Sequence, residues 1–163
     1  MKRPRNPPLK ARGPRPGSIV RVAGLNYGDL DQHLGYVLRR AQLAGFDAFH
    51  RATESIDITP ARYTALTIVS VNPGLSQSDL GAALGTARSG AMMVADWLEE
   101  RGLAERRRRN GDGRAWGLHL TPRGRGFLSR VKRRVRANDE RFAQKLTQAE
   151  RMQLRQLLDK LSG

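Results

Sequence analysis

Leu98–Thr121, LEERGLAERRRRNGDGRAWGLHLT, is the stretch on which the fold turns. Gly102 follows the last periodic residues of a helix, where a left-handed cap is easiest for glycine. Two short strand-like runs, Leu103 to Arg108 and Ala115 to Leu120, flank Asn110-Gly111-Asp112-Gly113, which carries both of the strongest two-residue hairpin signals. Arg106, Arg107, Arg108, Arg109 and Arg114 crowd this single hairpin. Five guanidiniums in so small a space repel one another unless a polyanion lies alongside.

The charge of the whole chain is organised around the same point. Its 163 residues contain 30 Lys+Arg against 15 Asp+Glu, a net charge of +15. Residues 101–136 hold thirteen basic residues against Glu105 and Asp112, and residues 1–22 hold seven basic residues and no acid. Basic charge confined to a hairpin, the segment after it and a tail is an electrostatic footprint for nucleic acid. An anionic membrane is the competing partner for such charge. No apolar run reaches spanning length, however, and no signal-peptide core follows the basic N-terminus, so a soluble, cytoplasmic protein is expected. With no cysteine, a disulfide framework, a cysteine-ligated zinc and a thiol redox sensor are all excluded.

Outside the hairpin the pattern is helical. Residues 1–28 form a basic, proline-rich tail, with five prolines and three glycines in the first 26 positions, too poor in apolar residues to order by itself. From residue 29, Leu30, Leu34, Val37/Leu38, Ala41, Gly45 and Ala48/Phe49 recur at three- and four-residue spacing and predict a first helix of about six turns. Thr59-Pro60 is a cap followed by proline at the first helical position, opening a second helix with Tyr63, Leu66 and Val69/Val71 on its apolar face. Asn72-Pro73-Gly74 ends it. Ser76 caps a short third helix, Gln77 to Leu84, with Leu80, Ala83 and Leu84 inward. Gly85 breaks that helix, and Thr86 caps a fourth, running to about Arg101 with Ala87, Ala91, Val94 and Leu98 inward. Two such helices joined by a tight glycine turn form a helix-turn-helix, and the basic hairpin behind them is then its wing.

Beyond the hairpin, Thr121-Pro122 opens a long helix bearing Phe127/Leu128, Val131, Val135 and Phe142. Thr147-Gln148-Ala149-Glu150 is a capping box for a last helix with Met152/Leu154, Leu157/Leu158 and Leu161. The first, fifth and sixth helices carry apolar stripes that a small winged core cannot cover. Such stripes mark an interface, and a homodimer clasped by the two ends of the chain is expected. The fold class is therefore mainly α with a small β-wing. One domain is expected over 29–163, with the winged helix-turn-helix at about 59–121 and dimerisation helices at about 29–54 and 121–162.

The order of elements is similar to that of the MarR-type transcriptional regulators, and so are five anchors: Leu80-x-x-x-Leu84-Gly85, Asp96-x-Leu98-Glu99, Gly102-Leu103, Asp112-x-Arg114 and Leu118-x-Leu120-Thr121-x-x-Gly124. The likeness covers about residues 29–162, and Asn72 to Gln77 resembles a subgroup associated with aromatic-acid catabolism. It implies a homodimeric repressor on a palindromic double-stranded operator, with the fourth helix in the major groove. The residues nearest the bases would be Thr86, Arg88, Ser89, Gly90, Met92 and Met93. Arg88 would meet a guanine or a phosphate, and Ser76 and Gln77 would donate to a phosphate. Many relatives carry threonines and an arginine where this chain has Gly90, Met92 and Met93, and Trp97 replaces another groove-facing polar residue, so shape readout should gain weight. Arg114 takes the place of the wing-tip arginine that enters the minor groove, with Asp112 orienting it. Because Arg106 to Arg109 alternate across a strand, only two of them, Arg107 and Arg109, are expected on the duplex side, leaving the others to phosphate or solvent.

The resemblance also implies a small aromatic or anionic effector, a CoA thioester among the candidates, in a cleft between dimerisation helices and DNA-binding lobe. His33, Tyr36, Arg39, Arg40 and Tyr63 are the candidate lining residues, with the pair Arg39-Arg40 suited to an acid; Phe46 and Phe49 read as core. Neither metal nor cofactor is expected, since His33, His50 and His119 lack ligand spacing. Nor is catalysis, because no nucleophile-elbow, P-loop or HExxH pattern is present. The rival function is an architectural or RNA-associated basic protein without operator choice.

Overall fold

A computed structural model describes residues 21–22, 24–109 and 112–163, with the side chains of all of these except 109 and 112–115. Most of the basic tail and the Asn110-Gly111 turn lie outside the described residues. Six helices and one antiparallel hairpin follow one another: α1 (Leu34–Ala52), α2 (Pro60–Val71), α3 (Gln77–Leu84), α4 (Arg88–Glu100), β1 (Ala104–Arg109), β2 (Asp112–Leu120), α5 (Pro122–Phe142) and α6 (Gln148–Ser162). This is the expected order, mainly helical with a two-stranded wing. The first helix begins later than its periodicity suggests, because Leu30–Gln32 forms a single 3-10 turn whose last N–H groups bond back across it. The chain falls into two compact units that divide within α1, one ending at Ala48 and the other spanning Phe49–Gly163.

Capping chemistry fixes where the helices of the second unit begin. Thr59, Ser76, Thr121 and Thr147 each accept the N–H of a first-turn residue, with proline at the first position of α2 and α5. At Thr147 the capping box closes in both directions, Glu150 accepting the Thr147 N–H at 2.7 Å. That bond, and the Thr147 hydroxyl after it, hold the exposed Glu150 carboxyl below its ordinary pKa. Helix α4 departs from the expectation: Ala87, not Thr86, is its N-cap, and no side chain caps it.

The core of the second unit joins Phe49, Ile58, Leu66 and Val69 to Leu80, Leu98, Leu103, Leu118, Leu128 and Val131. Several inward faces differ from the expected ones. Ala87 and Ala83 are exposed; Ala95 and Gly81 are buried in their stead. A β-carbon on Gly81 would touch the β-carbon of Ala91 at 3.4 Å, so α3 and α4 cross where both present almost no side chain. Val71 also points outward, and Phe46 of the first unit is exposed rather than core. Phe49 is buried as expected.

Two glycines lock the wing to this core. Leu118 exchanges backbone hydrogen bonds with the segment before α3, accepting from the Gly74 N–H and donating to the Leu75 carbonyl, each at 2.9 Å. A side chain at Gly117 would overlap the Gly74 backbone. At the far end, the Thr121 hydroxyl donates to the Gly102 carbonyl at 2.7 Å and accepts from the Gly124 N–H at 2.9 Å. A β-carbon on Gly124 would overlap the Leu103 carbonyl oxygen. The Gly102-Leu103 and Thr121-x-x-Gly124 anchors are thus two halves of one junction between β1, β2 and α5.

Candidate nucleic-acid interface

Helix α4 has two sharply different sides. Ala91, Ala95 and Leu98 are fully buried. The opposite side presents Arg88, Ser89, Met92 and Met93, with Thr86 just ahead of the helix, and all five are exposed. Met93 is 71% exposed and Met92 48%, which removes both from the core and leaves them free for apolar contact with a thymine methyl. Gly90 is half-buried, and the Thr86 hydroxyl occupies the space its β-carbon would need. Its absent side chain lets Thr86 fold back against the first turn of the helix.

Trp97 does not face outward with these residues. It is 8% exposed, and two guanidiniums lie over its ring, Arg62 at 4.2 Å and Arg101 at 4.8 Å from the centroid. Both arginines pair with Asp57. The expected groove-facing position is therefore a cation–π cluster that ties α4 to the start of α2. At the N-terminus of α3, Ser76 donates its hydroxyl hydrogen to the Asp79 carboxylate at 2.6 Å and accepts the Asp79 N–H at 3.1 Å. Its proton is committed within the protein, so the expected donation to a phosphate would require that bond to open; Gln77 beside it is half-buried.

The register of the wing sorts its arginines. Ala104 pairs with Leu120, Arg106 with Leu118 and Arg108 with Trp116, while Glu105, Arg107 and Arg109 pair with His119, Gly117 and Asp112 on the alternate face. Arg106 consequently shares the face of two buried leucines and turns toward α4. It donates to Asp96 at 2.7 Å and to Glu99, which also accepts the Arg106 backbone N–H at 3.0 Å. The expectation that it would reach phosphate or solvent is corrected by this clamp. Arg107 is on the outer face, where its Nε donates to Glu105 at 3.0 Å. Between the Arg108–Trp116 and Arg109–Asp112 pairs, residues 113–115 of β2 intervene where β1 has none, so the strand bulges toward its tip. The side chains of Arg109, Asp112 and Arg114 lie outside the described residues.

One wing residue escaped the sequence reading. Trp116 occupies a core-face register position but lies beyond the edge of the core, 51% exposed, with the Arg108 guanidinium 5.7 Å from its ring centroid. Alternation with Leu118 and Leu120 marks its face; only the length by which the hairpin outruns the core makes it available to a partner.

The candidate effector residues separate between the two units. In the first, His33, Tyr36, Arg39 and Arg40 follow one another at helical spacing. Arg40 lies 5.8 Å from the Tyr36 ring centroid and pairs with Asp31 at 3.3 Å, and His33 stands 3.7 Å from Asp29. Tyr63 belongs to the second unit, where its ring packs at 5.9 Å on Phe49.

A family model described as MarR family matches residues 56–115 of this chain. A relative from Thauera aromatica, named a putative transcriptional regulatory protein for the hcr operon, is 40% identical over 141 residues, 86% of this chain and 85% of its own length. The solved structure of the transcriptional repressor CouR bound to a 23-mer DNA duplex superposes with a TM-score of 0.81 at 34% identity, over 85% of this chain and 99% of that one. CouR bound to p-coumaroyl-CoA superposes with a TM-score of 0.77 at 33% identity, over 85% and 97%. Among the described residues, no helix is long and apolar enough to cross a membrane.

Proposed function

The chain belongs to the MarR family of DNA-binding transcriptional repressors, and on that premise we propose that it acts as a homodimer on a palindromic operator from which a small aromatic or anionic effector releases it. The observation that carries the DNA-binding half is the outward side of α4, where Thr86, Arg88, Ser89, Met92 and Met93 stand exposed beside an arginine-rich hairpin. In this reading α4 enters the major groove and the wing the adjacent minor groove, with Arg109 and Arg114 on the duplex, Arg107 joining them by exchanging Glu105 for a phosphate, and Asp112 orienting Arg114. Trp116 and Arg108 add a flat, cationic surface to the same wing. Having so few polar groups on α4, the protein draws its specificity from methyl contacts, Arg88 and groove shape.

Dimerisation is supported by α6, which buries none of its residues although Met152, Leu154, Leu157 and Leu161 recur along it. A helix of that pattern is stable in water only with a partner surface. On the effector side, Arg40, whose guanidinium lies over the Tyr36 ring, offers charge and an aromatic face to an acid, with Arg39 and His33 on the same segment; Tyr63 of α2 is a further candidate. The p-coumaroyl-CoA named in the CouR structure supports an aromatic acid or its CoA thioester as the class to try first.

The test is footprinting on genomic fragments with a salt titration. A repressor protects a discrete palindrome whose half-sites lie about 34 Å apart, and it retains a preference of about 10³ or more over bulk DNA. A uniform ladder of protection without such a preference would instead make it an architectural or RNA-associated basic protein. Addition of p-coumaroyl-CoA, p-coumarate or salicylate to the footprint then tests the effector class.

A further inference from the structure

Along α5, Arg125, Ser129, Lys132 and Arg136 recur at four-, three- and four-residue intervals, which places them in one row. With Arg133 and with Ser70 of α2 they line a cavity of about 370 Å³ floored by Leu128. Four cations share this groove, and none has a carboxylate within pairing distance among the described residues. The contrast with the wing is sharp, because Arg106 and Arg107 are both neutralised by acids. Arg125 spends one N–H on the Leu120 carbonyl, 2.9 Å away, and Ser70 donates its proton to the Thr67 carbonyl at 2.6 Å. Among the described residues, the remaining guanidinium N–H groups, the Lys132 ammonium and the Ser129 hydroxyl have no such commitment.

We propose that the groove between α2 and α5 is a phosphate-binding site, separate from α4, the wing and the candidate effector residues. Like charges one helical turn apart repel, and a dianion with several acceptor oxygens relieves that repulsion where a single carboxylate would neutralise only one of four cations. Phosphate has the charge, and its oxygens suit the forked donors of arginine. From Arg125 to Arg136 the row is about 16 Å long at the helical rise, enough for two phosphate groups rather than one. Two sources present that chemistry: a phosphorylated small molecule, or the backbone of DNA held by the rest of the protein.

The experiment uses the full-length chain and the double variant K132Q/R136Q, with R155Q/K160Q on α6 as a control that removes the same charge from another exposed surface. Calorimetric titration with inorganic pyrophosphate tests the small-molecule source. Binding by the parent chain that weakens at least about tenfold in K132Q/R136Q, the loss expected for one charge-assisted contact, and not in the control supports it. A non-specific duplex tests the other source: the slope of log K against log salt should fall by about two per chain, as two phosphate contacts are lost. Either result in K132Q/R136Q alone establishes the site and identifies what fills it. The proposal is overturned if neither probe responds, or if R155Q/K160Q has the same effect, which would make it a matter of net charge. Neither arm uses an operator or an aromatic effector, so this site can fail while the repressor reading stands, and the reverse.

Discussion

Replacing Arg106 with methionine keeps most of the aliphatic stem and removes only the guanidinium, which isolates what the clamp between β1 and α4 contributes. The native side chain donates to Asp96 and Glu99, and the three side chains are 31%, 44% and 26% exposed. That is too open for the full value of a buried charged hydrogen bond, so each contact is discounted toward the ~0.2–1 kcal/mol of exposed pairs. The variant also leaves Asp96 and Glu99 as unpaired like charges one turn apart on α4, which adds about 0.2–0.5 kcal/mol. The expected loss is about 1–2 kcal/mol of stability, or roughly 3–6 °C in Tm for a chain of this size. Because Arg106 is already neutralised, it displaces no counterions when DNA binds, and the salt slope should not change. Arg88→Met is the counterpart: an exposed arginine at the start of α4, without a carboxylate partner among the described residues. It should leave the stability within about 0.5 kcal/mol of the parent and lower the slope by about 0.9 per chain. Differential scanning calorimetry and fluorescence anisotropy at four or five salt concentrations measure both quantities. If Arg106→Met melts like the parent and flattens the slope as Arg88→Met does, the assignment of Arg106 to the fold is wrong.

Gly124→Ala should destabilise the chain by about 1–3 kcal/mol, since its β-carbon would overlap the Leu103 carbonyl. Gly126→Ala, two residues along the same helix and facing open space, should stabilise it by up to about 1 kcal/mol through helix propensity; urea denaturation reads both. In a Trp97→Phe background, the emission of Trp116 should shift or quench on adding operator duplex, and an unchanged spectrum would take Trp116 out of the interface. The Glu150 carboxyl titrates below its ordinary value because Thr147 donates to its charged form. The stability it gives the first turn of α6 is therefore present above the unfolded pKa and lost as pH falls through the lowered folded one. Thr147→Ser should keep the low midpoint in an NMR titration, and Thr147→Ala, which removes the hydroxyl contribution, should raise it. Removing residues 1–22 should weaken specific and non-specific DNA binding together and reduce the salt slope by about two per tail if each tail contacts two or three phosphates; a lower Tm with an unchanged slope would place the tail on protein instead.

The elements legible in the sequence are those fixed by local chemistry. Thr59-Pro60, Ser76, Thr121-Pro122 and the Thr147–Glu150 box locate four helix starts because a cap and its partner lie within four residues. What the sequence hid depends on partners far along the chain. Trp97 is groove-facing by the resemblance, yet Arg62, thirty-five residues earlier, stacks on it and Asp57 holds that arginine in place. Arg106 is one of four consecutive arginines, and only its register against Leu118 turns it toward α4. Gly81 is inward where Ala83 fits the apolar pattern equally well, because the close crossing of α3 and α4 selects for the smaller residue. Ser76 is the cap its position in the sequence predicts, but the nearby Asp79 takes its proton.

These reassignments change how the charge of +15 should be understood. A count of cations near the wing treats each as a contact with DNA, whereas acids interleaved with them already neutralise several. Arg106 is taken by Asp96 and Glu99, Arg107 is balanced by Glu105, and Arg62 and Arg101 share Asp57. Arginine serves the fold here because its fork can satisfy two carboxylates and its plane can stack on tryptophan, which lysine does less well. Among the described residues, the cations left over include Arg88 at the head of α4, Arg108 on Trp116, and the row on α5. Counterion release follows only the charges that exchange a salt ion for a phosphate. The salt slope of DNA binding should thus track the cations without acidic partners rather than net charge, and substituting a paired arginine should be felt first in the stability of the wing.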